Sequence, residues 1–253
     1  VTGQELLGWL PTVAAIVLLA GIAFGGLAAF RIPAPHEVIV AVARAALQLA
    51  ALSLVLSGVI THPLWVGLGL VVMFAAAVFT SARRTRGMGA PIALLASSMA
   101  LGPCVAMAIV FGTGALAFEP RYLLAVGGIV VGNTMTIATL TLRLLDAGAR
   151  DHWDEIEGWL ALGATPRQAF APIARPAVRN ALMPSIDQTR TTGLVVLPGA
   201  FVGAVFAGAS PIEAGTFQLI VLASILASAV ITATLLAFRQ SQLRKPLPLV
   251  AAA

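Results

Sequence analysis

Residues 123–145 read LLAVGGIVVGNTMTIATLTLRLL, a stretch in which no charged side chain occurs until Arg143. An α-helix needs ~20 predominantly apolar residues to cross the hydrocarbon core of a bilayer, and this stretch is long enough. Lipid offers the backbone no hydrogen-bond partner, so a spanning segment must satisfy its own N–H and C=O groups as a helix or in a closed barrel. A barrel strand would alternate polar and apolar residues over about ten positions. Here apolar residues follow one another without that alternation, and the segment reads as a membrane helix.

Six further runs of the same kind lie on either side: Pro11 to Phe30, Val38 to Ile60, Leu64 to Ala82, Pro91 to Phe111, Gly193 to Ala209 and Ala214 to Phe238. The chain is therefore expected to be all-α, a polytopic membrane protein of about seven transmembrane helices forming a single domain over residues 1–253. Composition agrees: 59% of the 253 residues are hydrophobic and 10% are charged, whereas soluble domains carry about a quarter charged residues. The first run has no Lys or Arg before it, so it lacks the basic region that opens a cleavable signal peptide and reads as a retained helix. The single cysteine, Cys104, lies inside an apolar run and provides neither a disulfide framework nor a thiolate metal cluster.

The basic residues orient the helices. Arg31, then Arg83, Arg84 and Arg86, then those between Arg143 and Arg190, then Arg239, Arg244 and Lys245 fall on one side of a seven-helix alternation, and Arg121 on the other. Cytoplasmic loops carry the excess of Lys and Arg, which places the N-terminus outside and the C-terminus inside. The formal charge of +5 is thus explained by topology, and membrane lipid rather than nucleic acid is the partner it implies.

One long connection, residues 147–190 between the fifth and sixth spans, is the exception to the apolar pattern. In ARDHWDEIEGWLALG, Asp151 is placed as an N-cap, and Trp153, Ile156 and Leu160 share one face of a short amphipathic helix that ends near Gly163. TPRQ follows, with Thr165 as N-cap, Pro166 at the first helical position and Gln168 completing a capping box. Pro172 and Pro176 are expected to break this second helix after about two turns, leaving Phe170 and Ile173 on a short peg. Two readings fit such a segment, an interfacial helix resting on the headgroups or a docking element for a cytoplasmic partner.

The spacing of Glu157, Gly163, Ile173 and Pro176 resembles the E-A-A-x3-G-x9-I-x-L-P coupling loop of ATP-binding cassette (ABC) transporter permeases, departing from it at Gly158, Trp159 and Arg175. The stretches ALGATPRQA and LMPSIDQTRTTGLVVLPGAFVGAVFAGASPIEAGTFQ, with GGIVVGNTM (127–135) and ARAALQLA (43–50), resemble the FetB-type permeases, membrane subunits of bacterial iron-export ABC transporters related to plant ALS-type aluminium-tolerance proteins. The resemblance implies a permease homodimer in the cell membrane, exporting iron or another metal. It implies a separate ABC ATPase subunit that holds ATP and Mg, docked on Glu157, Gly163, Ala164, Thr165, Pro166, Arg167, Phe170 and Ile173. The residues agree on one point of their own: no G-x4-G-K-[ST] phosphate loop occurs, so this chain is not itself a P-loop ATPase and needs no cofactor of its own.

Polar residues inside the apolar runs are the candidates for a translocation pathway. Arg44 and Gln48 are one turn apart in the second span, where Arg44 either faces a polar route or snorkels to the headgroups. Asn133 and Met135 lie beside the Gly128/Gly132 pair of the fifth span, which serves either close helix packing or a polar lining in which Met135 offers a soft sulfur to a metal. Glu213 and Gln218 stand at the start of the last span, as exit ligands or, for Glu213, as a helix-dipole partner. The three histidines, His36, His62 and His152, have no metal-ligand spacing, and no metal site is assigned. An ABC permease for another cargo and an ATP-independent channel or secondary carrier are the rival readings.

Overall fold

The computed structural model describes the backbone of residues 3–59 and 63–243 and the side chains of 9–53 and 64–241. The chain groups into two compact units, residues 1–61 and 62–253. The first holds α1 (Gly3–Ala29) and α2 (His36–Val59), packed on each other. Their turn is fixed by a Schellman pattern, in which Arg31 N donates to Ala28 O (3.0 Å) and Ile32 N to Leu27 O (2.9 Å), with Arg31 in the left-handed region at φ 53°. Pro33 and Pro35 then prevent the helix from resuming.

The second unit contains α3 (Pro63–Arg84), α4 (Ile92–Gly112), α5 (Pro120–Asp151), α6 (Trp153–Ala161), α7 (Pro166–Thr191), α8 (Gly199–Phe206) and α9 (Pro211–Leu243). No strand occurs among the described residues. Among the described residues six helices are long and apolar enough to cross a membrane, namely α1 to α5 and α9, and they match six of the seven expected runs. The protein is an all-α, multi-pass membrane protein.

The seventh run is different. Within 193–209 only the eight residues of α8 are helical, a rise of ~12 Å against a hydrocarbon core of ~30 Å. Between α5 and α9 the chain instead returns along α7, 26 residues long and therefore ~39 Å from end to end, although α7 is not among the six apolar spans. Its direction follows from its contacts. Ala169 and Phe170 pack with Ala149 of α5, Ala177 with Leu145 of α5 and Ala237 of α9, and Leu182 with Ile137 of α5 and with Ala229 and Ala233 of α9. Advancing along α7 thus means retreating along both neighbours, and α7 returns across the bundle between two helices that run the opposite way.

This overturns the expectation that Pro172 and Pro176 end the second short helix. Both lie inside α7, as does Pro184. All three are exposed, on the face turned away from α5 and α9, and so are Gln168 and Asn180, two of the residues whose carbonyls lose a donor. The helix survives because each lost bond falls outside the packed face, while Ala177, Ala181, Leu182 and Ser185 are buried against the neighbours. Arg190, expected on the same side as Arg167, stands at the opposite end of α7, ~35 Å away along the axis.

Buried hydroxyls and small residues join the helices, as in membrane bundles where apolar surface alone gives no selectivity. Ser81 meets Thr139 at 3.0 Å between α3 and α5, and Thr134 meets Ser228 at 2.9 Å between α5 and α9. Closest of all is Gly102 of α4, where a Cβ would stand 2.5 Å from Ser228 O and 2.7 Å from Thr232 Oγ1. At Gly132, one of the glycines singled out for close packing, a Cβ would meet nothing within 4 Å. Thermal unfolding in detergent is accordingly expected to show Gly102→Val destabilised by about 1–3 kcal/mol through overpacking, while Gly132→Ala is neutral or slightly stabilising.

Candidate functional site

The polar surface is concentrated at an elbow formed by α6 and the start of α7. α5 runs on to Asp151, so Asp151 does not cap α6 as expected. The break is the single residue His152, at φ −121° and ψ 30°, and no side-chain cap is made. The reason is packing: Leu145 and Ala149 are buried against α7, which carries α5 beyond the apolar run. At Gly148 a Cβ would come within 2.6 Å of Ile173 Cγ2, a close approach of α5 and α7 that no sequence motif marks.

Two local signals behave as read. Gly163, at φ 89°, ends α6 with a Schellman pattern in which Gly163 N donates to Leu160 O and Ala164 N to Trp159 O, each at 3.0 Å. Thr165 then starts α7 with a capping box: Thr165 N donates to Gln168 Oε1 at 2.8 Å and Gln168 N to Thr165 Oγ1 at 3.4 Å, with Pro166 at the first helical position. Ile156 is buried, with Trp153 and Leu160 packed beside it.

The expected docking residues divide into two groups. Glu157, Gly163, Thr165, Pro166 and Arg167 are exposed and Ala164 is half-buried. Phe170, at 3% exposure, is instead buried with Ala149, Ile156 and Ala169, and Ile173 packs against the same cluster. A peg that presents Phe170 and Ile173 outward is therefore not what forms, because α7 continues as a helix and turns both residues toward α5. The exposed apolar groups are Trp159 and Leu162, the latter 84% accessible at the tip of the elbow, and both line a concavity of about 700 Å3 with Gly163 and Ala164. Both stand in the quoted α6 stretch, yet its helical periodicity drew attention only to the inward face.

The elbow belongs to the arginine-rich end of the bundle. The Arg167 guanidinium stacks 3.8 Å from the Phe238 ring, Arg239 Nη1 donates to Ser97 Oγ at 2.6 Å, and Gln240 Nε2 donates to Met88 O at 3.0 Å, next to the Arg83–Arg86 stretch. Aromatic pairs mark the other end, Phe111 with Phe118 and Tyr122 with Phe217, where such rings suit a headgroup boundary.

Within the second unit, the candidate pathway residues of α5 and of α9 have separate surroundings. Arg44 and Gln48 are one turn apart on α2, in the first unit. On α5, Met135 packs into the core beside Leu95 and Met99, and Asn133 Oδ1 is buried without a hydrogen-bond partner. Glu213 accepts from Ser210 N at 3.0 Å and Ser210 Oγ at 2.9 Å, so its carboxylate caps α9. Gln218, 6% exposed with Oε1 unpartnered, lines a pocket of about 390 Å3 with Thr189, Thr192, Leu197 and Phe201. This pocket adjoins the break between α7 and α8, two to three turns short of the start of α9. Asp187 and Arg190, paired at 3.5 Å and both more than half exposed, stand on the last turns of α7. Neither stands out in the sequence, where the stretch SIDQTR falls within the expected cytoplasmic connection. Among the described residues no three of His, Cys, Asp and Glu come together to hold a metal ion.

Residues 10–243 match the model of the Uncharacterised protein family (UPF0014). The chain belongs to this family. The UPF0014 membrane protein STAR2 of Oryza sativa subsp. japonica is 35% identical over 92% of this chain and 82% of its own length, and the Protein ALUMINUM SENSITIVE 3 of Arabidopsis thaliana is 32% identical over 78% and 72%. The Probable iron export permease protein FetB of Escherichia coli (strain K12) is 33% identical over 52% of this chain and 51% of its own. No solved structure matches. The UPF0014 elbow makes a direct stability claim. Chemical or thermal denaturation should show Phe170→Ala destabilised by about 3–5 kcal/mol through the cavity it leaves, and Leu162→Ala within about 0.5 kcal/mol of the parent.

Proposed function

We propose that this UPF0014 protein is the membrane permease of an ABC transporter, working as two copies with two ATPase subunits that hold ATP and Mg. The observation carrying the proposal is the elbow: a short helix, a glycine turn and a capping box at the arginine-rich end, continuous with the helix that crosses between α5 and α9. A partner that grips Trp159, Leu162 and Gly163 displaces α7 as a lever, because Phe170 and Ile173 tie its first turns to α5 and α6. The force of ATPase closure is thereby delivered into the membrane without a flexible joint. A channel or secondary carrier would have no use for this arrangement.

Iron or another metal as cargo, moved outward across the cell membrane, is carried over from the name of the Escherichia coli relative and from the aluminium-sensitivity name of the Arabidopsis one. Transport is the whole task assigned to this chain, and bond-breaking chemistry belongs to the ATPase.

The test is reconstitution of the chain with its cognate ATPase in proteoliposomes, reading complex formation, ATP hydrolysis and release of trapped iron. Leu162→Asp combined with Trp159→Ala should leave the protein inserted and folded but weaken ATPase binding about 30-fold, the loss expected when apolar anchors worth ≥ 2 kcal/mol are removed. Unchanged complex formation would sink the docking claim. Intact coupling without iron movement would sink only the cargo.

A further inference from the structure

Along α7 and α9 runs an open groove of about 490 Å3, floored by Ala174, Val178, Leu182 and Ala237 and edged by Arg175 and Arg179, with Arg167 at its end. None of its lining residues is acidic. Arg175 and Arg179 are one helical turn apart, both exposed, and neither is in a salt bridge among the described residues. The groove opens at the arginine-rich end, fixed there by the stacking of Arg167 on Phe238 beside Arg239. It continues up α7 as far as Ile186, ~17 Å beyond Arg175 and close to half of the ~30 Å hydrocarbon core.

Cations at the boundary with an apolar trough running one leaflet deep is the polarity profile of a phospholipid. A soluble phosphate would satisfy the arginines and leave the trough bare. A neutral lipid would fill the trough and leave two adjacent guanidiniums without a counter-charge. Guanidinium groups suit phosphate oxygens because their paired donors match them in plane, and basic pockets between membrane helices are where anionic headgroups settle. We propose that this groove binds an anionic phospholipid of the leaflet at the arginine-rich end, its phosphate between Arg175 and Arg179 and one acyl chain against Val178, Leu182 and Ile186. The site shares α7 with the elbow, so a bound lipid stiffens the same lever. It does not depend on the ATPase reading, and its test needs no partner.

The full-length chain is purified in nanodiscs of phosphatidylcholine with a minor fraction of phosphatidylglycerol, released, and its retained lipids are counted by native mass spectrometry. Phosphatidylglycerol is expected to be retained selectively. Arg175→Gln with Arg179→Gln should weaken retention about 30-fold, about fivefold for each arginine facing an anionic headgroup. Arg175→Lys with Arg179→Lys should keep part of it, through charge without the paired in-plane donors, Arg83→Gln with Arg84→Gln should change nothing, and Val178→Trp should expel the lipid by filling the trough with both charges in place. Equal retention of phosphatidylcholine, or full retention by the double glutamine variant, would overturn the proposal. So would inorganic phosphate raising the thermal stability as much as phosphatidylglycerol does, or a second copy occupying the groove, seen as crosslinking through Val178→Cys with no lipid retained.

Discussion

The structure depends on the packing of α7 into the cleft between α5 and α9. α7 is a poor membrane segment by composition, with three prolines beyond Pro166 at its first position and four arginines. It holds its place through small and apolar residues on one face: Ala177 against Leu145 and Ala237, then Leu182 against Ile137, Ala229 and Ala233. Two consequences follow from the backbone. Pro172, Pro176 and Pro184 are exposed outside the buried seam, where the lost hydrogen bonds do not weaken it, and Arg175, Arg179, Asp187 and Arg190 are exposed as well. A face bearing Arg175, Arg179, Asp187 and Arg190 is too costly to leave against lipid chains throughout its length, which is why water, headgroups or protein must meet it.

The same helix unites the two regions where chemistry is concentrated. Its first turns form the elbow with α6, locked by Phe170 and by the approach of Ile173 to Gly148. Its last turns reach the pocket of Gln218 and the break before α8, where non-helical backbone lies two to three turns inside the bundle. Irregular backbone at such depth is tolerated only against protein or a water-lined cavity, and helices interrupted near the membrane interior are a recurrent setting for transported solutes. A rigid element with a handle at one end and a break at the other is the arrangement that the proposed ATPase-driven permease would use.

Much of this was legible in the amino-acid order. Six crossing helices follow from run length and hydropathy, and the cap and stop signals at Thr165, Pro166, Gln168 and Gly163 act through strictly local geometry. What was not legible depends on neighbours distant in sequence. Proline breaks an isolated helix, which is the basis of the expectation at 172 and 176, and that rule fails where a seam supplied by α5 and α9 outweighs the lost bonds. The apolar run at 193–209 looks like a crossing because hydropathy does not register the turn at its start, with Gly193 at φ 86° and extended Pro198, which delays α8 until Gly199. Ile173 fits a docking motif by spacing and Phe170 is expected beside it on a short peg, but the continuation of α7 turns both inward. Gly102 gave no sign of its contact with Ser228, which exists only because α4 and α9 meet there.

The claim on which everything else rests is that α7 lies within the bundle, so the most direct test is a disulfide between it and α9. In a Cys104→Ala background, Leu182→Cys with Ala229→Cys joins two residues of one buried cluster, and Ser81→Cys with Thr139→Cys, whose parent hydroxyls are 3.0 Å apart, serves as the positive control. Oxidation in native membranes should crosslink both pairs to a similar extent. Crosslinking of the control alone would place residues 166–191 outside the bundle and contradict the account.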